Sequence, residues 1–161
     1  MVERFADIQL LRYEVPGFKS LPLRQKLLVY DLAEAALLGR DILWDQNSQY
    51  GLLIRRILED IYIHYDGPEN SSDWQAFKVY MKRVWFSNGI HHHYSYQKFE
   101  PGFSKAFLKE RLKTTDNRLS RLISAPRCKS IQELTTDKIV DIIFNPEVMP
   151  KRVNQADGED L

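Results

Sequence analysis

The stretch YGLLIRRILEDIYIHY, residues 50–65, decides the fold class of this chain. Its apolar residues recur at steps of three and four, while Arg55, Arg56, Glu59 and Asp60 take the opposite side. This period is typical of an amphipathic helix that buries one face. We expect the helix to end at Asp66-Gly67-Pro68, because glycine tolerates the left-handed conformation and proline cannot continue the hydrogen-bond ladder.

Helix signals lie on both sides of this stretch. Upstream, Ser20 suits a helix cap and Pro22 a first helical turn, so a helix is predicted to run to Gly39 or on to Trp44. Its apolar positions at helical spacing include Leu23, Leu27, Tyr30, Leu37 and Leu38. Downstream, the capping-box pattern Ser72–Gln75 predicts a helix that closes at Ser87-Asn88-Gly89. The buried stripe predicted for it is Trp74, Phe77, Tyr80, Met81, Val84 and Trp85.

The two ends of the chain carry weaker signals. Residues 5–18 show no sustained period and predict a short helix or an extended lead-in, without paired strands. After a loop through Pro101, short helices are expected over 104–113 and 116–124, followed by a break at Ala125-Pro126. Further start signals stand at Ser130 and Thr136, the second leading into a final helix of about eight residues.

These segments predict an all-α fold. With 161 residues, 43% of them apolar, the chain is long enough to bury a core, and we expect an irregular bundle of about five to seven helices. Residues 1–150 form the predicted helical domain. Residues 151–161 are polar, have no stripe to bury, and predict a loop or disordered tail.

Charge and hydropathy narrow the classes of partner. The chain has 23 basic and 22 acidic residues, so bulk charge gives no reason to expect nucleic acid or an anionic membrane. Between Pro101 and Lys129, a stretch that we call the basic segment, there are eight basic residues and two acidic ones. Two partners for this segment therefore stay open: RNA, or a missing acidic segment that would pair with its charge. No apolar run approaches the roughly 18 residues of a membrane span. Residues 1–7 carry no secretory signal, and the compartment, cytoplasmic or periplasmic, stays open.

The obvious candidate for chemistry is His91-His92-His93, followed by Tyr94. Neighbouring side chains of an extended loop point to opposite sides, so only two of the three imidazoles could share one target. No His-Glu-x-x-His motif occurs, and a metal site built by this chain alone is not expected. The loop either packs aromatically against its own helix or a neighbour, or contacts a substrate.

Nucleophile and nucleotide-binding motifs do not occur in the sequence. Cys128, the one cysteine, lies between Arg127 and Lys129, has no histidine close in sequence, and is interpreted as a bystander. There is no Gly-x-Ser-x-Gly, Walker or Gly-x-Gly-x-x-Gly pattern. We therefore predict no catalytic residue in this chain.

Several strings in order resemble one enzyme family. They are Phe5–Tyr13 with Val15–Phe18, Phe77–Tyr80 leading to Ser87–Tyr94 and Lys98–Pro101, and the ending Arg152–Gly158. On these residues the chain resembles the N-terminal portion of the dipeptidyl-peptidase III family of zinc exopeptidases, in particular its Bacteroides-like bacterial branch. The resemblance covers essentially the whole chain.

The resemblance implies a two-lobed enzyme that removes dipeptides from the N-terminus of short peptides by means of a zinc-bound water. The family holds zinc with a His-Glu-x-x-x-His helix and a later Glu in its upper lobe, and this chain contains neither. The chain looks like part of the lower lobe, which supplies cleft wall and scaffold. Zinc would then belong to the parent enzyme, and the partners would be the remaining lobe and a short peptide.

The resemblance also implies a site. The segment from Ser87 to Phe99 would face the cleft between the lobes, and Tyr94 would form the aromatic wall for the first residue of the substrate. His92 lies on the same side of an extended loop, and Asn88 completes the predicted substrate-binding set. The alternative is a stand-alone helical module that binds protein or RNA without catalysis. A lobe fragment is also expected to expose an apolar surface through which it can self-associate.

Overall fold

The computed structural model describes residues 2–123 and 135–152, and of residues 115–123 it describes the helical backbone. These residues form an all-α irregular bundle with one small hairpin, as the sequence predicts. The helices are α1 (Leu23–Leu38), α2 (Arg40–Asn47), α3 (Gly51–Ile63), α4 (Ser72–Ser87), α5 (Lys105–Ile123) and α6 (Thr136–Phe144). Across the described ranges, no helix has the length and apolar character needed to cross a bilayer.

The N-terminal residues form an antiparallel hairpin of β1 (Glu3–Phe5) and β2 (Ile8–Leu10), in which Phe5 pairs with Ile8. The prediction of an extended segment is confirmed, whereas the prediction that it contains no paired strands was wrong. The turn is Ala6-Asp7, and Ala6 has a φ of 47°, a left-handed conformation that glycine or asparagine usually takes. The sequence therefore carried no recognisable turn signal.

The core lies where α3 and α4 pack together and α5 and α6 close over them. The two central helices contribute Leu53, Ile54, Ile57, Leu58, Ile61, Trp74, Phe77, Tyr80, Met81 and Val84. The stripe predicted for α4 is confirmed except at Trp85, which is half-buried and donates its indole N–H to Glu59. At one end of the core, the Trp74 ring stacks on Tyr65 with centroids 3.8 Å apart.

Two caps differ from the sequence prediction by a few residues. The cap of α4 is Ser71, whose Oγ accepts from the Trp74 N–H at 3.2 Å, rather than Ser72. At the start of α1 the cap is Pro22, while the Ser20 hydroxyl donates to the Gly17 carbonyl. Neighbouring serines both fit the pattern, so the sequence alone could not choose between them.

Residues 104–123 contain one helix where two were predicted. Helix α5 runs without interruption from Lys105 to Ile123, so Asp116 lies inside it rather than at a new start. The segment from Thr114 to Asn117 is polar but has neither glycine nor proline, and nothing in it forces a break. The final helix is confirmed as α6, capped by Thr135. The signals at Ala125-Pro126, Cys128 and Ser130, and the tail from residue 153, lie outside the described residues.

Helix α1 forms as predicted, but none of its residues is buried. Its large exposed apolar side chains are Leu23, Leu27, Leu28, Val29, Tyr30, Leu32, Leu37 and Leu38. At about 100° per residue, Leu28 and Leu32 lie on the side opposite Leu23 and Leu27. A helix that is apolar on two opposite sides is typical of the interior of a larger protein.

Candidate functional site

The predicted site lies on a loop that we call the His loop, residues 88–99, between α4 and Pro101. Its two arms pair in an antiparallel manner, with a bridge between His91 and Lys98. The His92 N–H donates to the Gln97 carbonyl and the Phe99 N–H to the Ile90 carbonyl, both at 2.8 Å. Because Ile90 and Phe99 are buried in the core, the base of the loop is fixed and only its tip projects.

Asn88 lies at the base of the His loop. It ends α4 with a left-handed φ of 51°, a conformation that asparagine tolerates better than most residues. Its carbonyl accepts from the Asn47 amide at 3.1 Å, and its Oδ1 accepts from Arg40 at 3.4 Å. The side chain thus links α4 to α2, and a contact between Asn88 and substrate stays a prediction.

Tyr94 and His92 lie in the tip of the loop, residues 92–96, where their rings and that of His93 form a continuous patch. The Tyr94 side chain is 90% exposed, and its ring lies 4.3 Å from that of His93. His93 stacks on His92 at 4.4 Å and meets the edge of Phe86 from α4 at 5.0 Å. The loop therefore packs against its own helix and at the same time presents an aromatic surface outward.

The hydrogen bonds of His92 fix which ring nitrogen carries its proton. The Tyr94 N–H donates to His92 Nδ1 at 3.2 Å, so Nδ1 is an acceptor and the proton of the neutral ring is on Nε2. An Nε2–H can donate to a carbonyl oxygen of a bound peptide. His92 thus offers one directional donor beside the apolar ring of Tyr94.

His91 faces inward and differs from its two neighbours. It is 2% exposed, and its Nε2 lies 3.1 Å from the Met149 carbonyl, which can only accept, so Nε2 carries the proton. Its Nδ1 is buried with no hydrogen-bond partner among the described residues. Burial, aided by the positive charge of Lys98 and also of Lys151, lowers the pKa of His91 to about 4, although the Met149 bond opposes this. The ring is therefore neutral at pH 7.

Lys98 connects the His loop to the chain that follows α6, which we call the C-terminal segment, residues 145–152. Its ammonium donates to the carbonyls of Ile142 and Asn145, each at 2.7 Å, and to that of Val148. These carbonyls lie at and beyond the C-terminus of α6, where a positive charge is favourable. Burial lowers the pKa of Lys98 to about 8, opposed by Asp141 and Glu147.

Lys151 makes the opposite connection, from the C-terminal segment to the His loop. Its ammonium donates to the carbonyls of His92 at 3.0 Å, Ser95 at 3.2 Å and His93 at 3.4 Å. The next residue, Arg152, donates its N–H to the Asn47 carbonyl at 2.7 Å. The sequence did not indicate either lysine, because a lysine in a polar stretch looks the same whether its ammonium binds backbone carbonyls or is solvated.

The groups at the tip offer a ligand aromatic contact and one hydrogen-bond donor. Across residues 2–123 and 135–152, no three His, Cys, Asp or Glu side chains are grouped so that they could hold a metal ion. The inward nitrogen of His91 bonds to Met149, and Nδ1 of His92 accepts from the backbone. Both of these ring nitrogens therefore already have a hydrogen-bond partner within the chain.

The basic segment is partly paired within the chain. Lys109 Nζ lies 2.7 Å from Asp137, and Arg111 pairs with Asp66 at 2.7 Å and with Glu110 at 2.6 Å. Lys105 lies over the Phe144 ring at 5.6 Å. These three cations stabilise contacts of α5, while the side chains of Arg118, Arg121, Arg127 and Lys129 lie outside the described residues.

Comparison with known proteins yields no family model that matches this chain and no curated protein that matches it.

Proposed function

We propose that this chain is part of the lower lobe of a zinc-dependent dipeptidyl-peptidase, in which it supplies cleft wall and scaffold but no catalytic group. The observation that carries the proposal is the almost fully exposed Tyr94 ring at the tip of a loop whose base is held in the core. Binding residues are often found on loops that a rigid scaffold positions, and a patch of neighbouring exposed rings offers contact area to a ligand.

The chemistry of the tip suits a short peptide. The Tyr94 ring offers a flat apolar wall to the first side chain of the substrate, and the His93 ring extends this wall toward α4. The Nε2–H of His92 can donate to a peptide carbonyl. Asn88 contributes by holding the loop base against α2.

The uncovered α1 supports the same proposal independently. Eight large apolar side chains, spread over opposite sides of the helix, are buried by none of the residues that the structure describes. The remaining lobe of a longer enzyme would cover such a surface and remove it from water. We propose that this lobe is the partner of α1.

A stand-alone helical module is the competing function. The apolar α1 would also suit a protein partner of such a module, whereas RNA is less favoured because Lys109 and Arg111 already pair with carboxylates. The two functions differ in what the gene encodes downstream. A reading frame that continues beyond Leu161 into a His-Glu-x-x-x-His motif supports the peptidase, and one that ends at Leu161 supports the module.

The substrate contact is tested by replacing Tyr94 in the full-length gene product. Tyr94→Ala removes apolar contact area, which costs roughly 1 to 3 kcal/mol, or about 5- to 150-fold in kcat/KM. The loss should be largest for dipeptidyl-arylamides with a large first residue, while zinc content stays unchanged. His92→Ala is the matched variant at the neighbouring ring. Equal kcat/KM values for the wild type and both variants would contradict a substrate role for this loop.

A further inference from the structure

The His loop and the C-terminal segment hold each other through two lysines that point in opposite directions. Lys98 leaves the loop and donates to three carbonyls at the end of α6 and in the C-terminal segment. Lys151 leaves the C-terminal segment and donates to three carbonyls of the loop. The bond from His91 to the Met149 carbonyl lies between them. Each segment therefore supplies the donor that satisfies the carbonyls of the other.

The acceptors of Lys151 are placed around one residue. They are the carbonyls of His92, His93 and Ser95, which bracket Tyr94 on both sides. The same turn has a longer backbone bond, from the Ser95 N–H to the His92 carbonyl at 3.4 Å. Since bonds from a charged donor are stronger than neutral ones, the ammonium of Lys151 is the main polar restraint on the tip.

We propose that Lys151, together with Lys98, is a positioning residue that holds the Tyr94 tip in the geometry required for peptide binding. This inference rests on the proposed function for the role of Tyr94. It adds that Lys151, 56 to 59 positions away in sequence from the carbonyls it binds, controls the tip without touching substrate. Among the described residues, the hydrogen bonds of the Lys151 ammonium go to backbone carbonyls of the loop, so its effect on substrate passes through the position of the tip.

We call the restraint that Lys98 and Lys151 place on the tip the clamp, and it is tested on this chain by amide hydrogen exchange. In Lys151→Met, which keeps the apolar stem but loses the ammonium, exchange at residues 92–96 should accelerate by about tenfold or more. Exchange in α3 and α4 should stay unchanged. Lys113→Met, at an exposed lysine of α5, is the matched control and should alter neither region. If Lys151→Met does not fold, Lys151→Gln serves in its place. Unchanged exchange at the tip would overturn the clamp, whatever the function of the protein.

The positioning role is tested by kinetics of the full-length gene product. We expect Lys151→Met to raise KM about tenfold for substrates with a large first residue, with kcat and zinc content little changed. Lys151→Arg keeps charge and donors, and should restore most of the loss. If Tyr94→Ala impairs the enzyme but Lys151→Met does not, the positioning role is wrong and the proposed function stands. If the gene product is not a peptidase, the proposed function fails and the positioning role falls with it, even where the exchange data support the clamp.

Discussion

The Nε2–H of His91 donates to the Met149 carbonyl at 3.1 Å and joins the His loop to the C-terminal segment across 58 positions of sequence. The ring that makes this bond is neutral and almost completely buried. Protonation would place a positive charge in a buried position near two lysines, and burial, aided by Lys98 and Lys151, lowers the pKa of His91 to about 4. The stability of the folded chain therefore depends on the protonation state of this buried ring.

We predict that His91 makes the protein less stable in acid. Its pKa is about 4 when folded and near 6.5 when unfolded, so the unfolded chain binds more protons between these values. The free energy of unfolding should fall as pH drops from 7 to 4, by at most roughly 3 kcal/mol from this residue. Urea unfolding of the wild type and of His91→Gln at a series of pH values measures the difference. Parallel pH profiles for the two proteins would contradict the prediction.

Gly51 should tolerate no side chain. A Cβ at this position would lie 2.1 Å from the Trp44 carbonyl oxygen, where the turn from α2 into α3 brings two backbones together. Gly51→Ala should therefore destabilise the protein by roughly 1 to 3 kcal/mol or more, although alanine is normally the better helix residue. Gly39→Ala is the matched control, because its Cβ would meet only the Ala36 carbonyl oxygen at 3.7 Å. Thermal unfolding of both variants checks this, and equal melting temperatures would contradict it.

The exposed apolar side chains of α1 should cause the separate chain to self-associate, although they contribute nothing to its core. Leu28→Glu should weaken self-association and the binding of an apolar dye, while the melting temperature changes by no more than about 2 °C because Leu28 is exposed. Gln25→Glu adds the same charge to the same helix and should leave association nearly unchanged. Sedimentation velocity and dye fluorescence measure both effects. A wild-type chain that is monomeric and binds no dye would contradict an uncovered apolar surface.

The central elements could be predicted from the sequence because they bury one face at helical period. The stretches around Leu58 and Phe77 are of this kind, and both are confirmed as core. The hairpin was missed because its turn uses Ala6 rather than a glycine or asparagine. Burial of α1 could not be judged either, since apolar spacing is the same whether or not a neighbour covers the helix.

For the candidate site, the sequence predicts the aromatic character of the tip, but it does not predict the hydrogen bonds that hold the tip in place. Tyr94 and His92 are recognisable as adjacent rings in one loop. The bonds from Lys98 and Lys151 join segments that lie more than 40 positions apart, and their acceptors are backbone carbonyls that every residue has. Contacts of this kind leave no residue pattern, so only the folded structure shows them.

The most direct test of the account is product analysis of the full-length gene product acting on a short peptide. We predict the release of successive dipeptides from the peptide N-terminus, activity that a zinc chelator abolishes and added zinc restores, and no hydrolysis by residues 1–161 alone. Mass spectrometry of the products measures all three. Zinc-dependent turnover by residues 1–161 alone, or a full-length product that releases no dipeptide, would contradict the assignment of this chain to the lower lobe of a zinc dipeptidyl-peptidase.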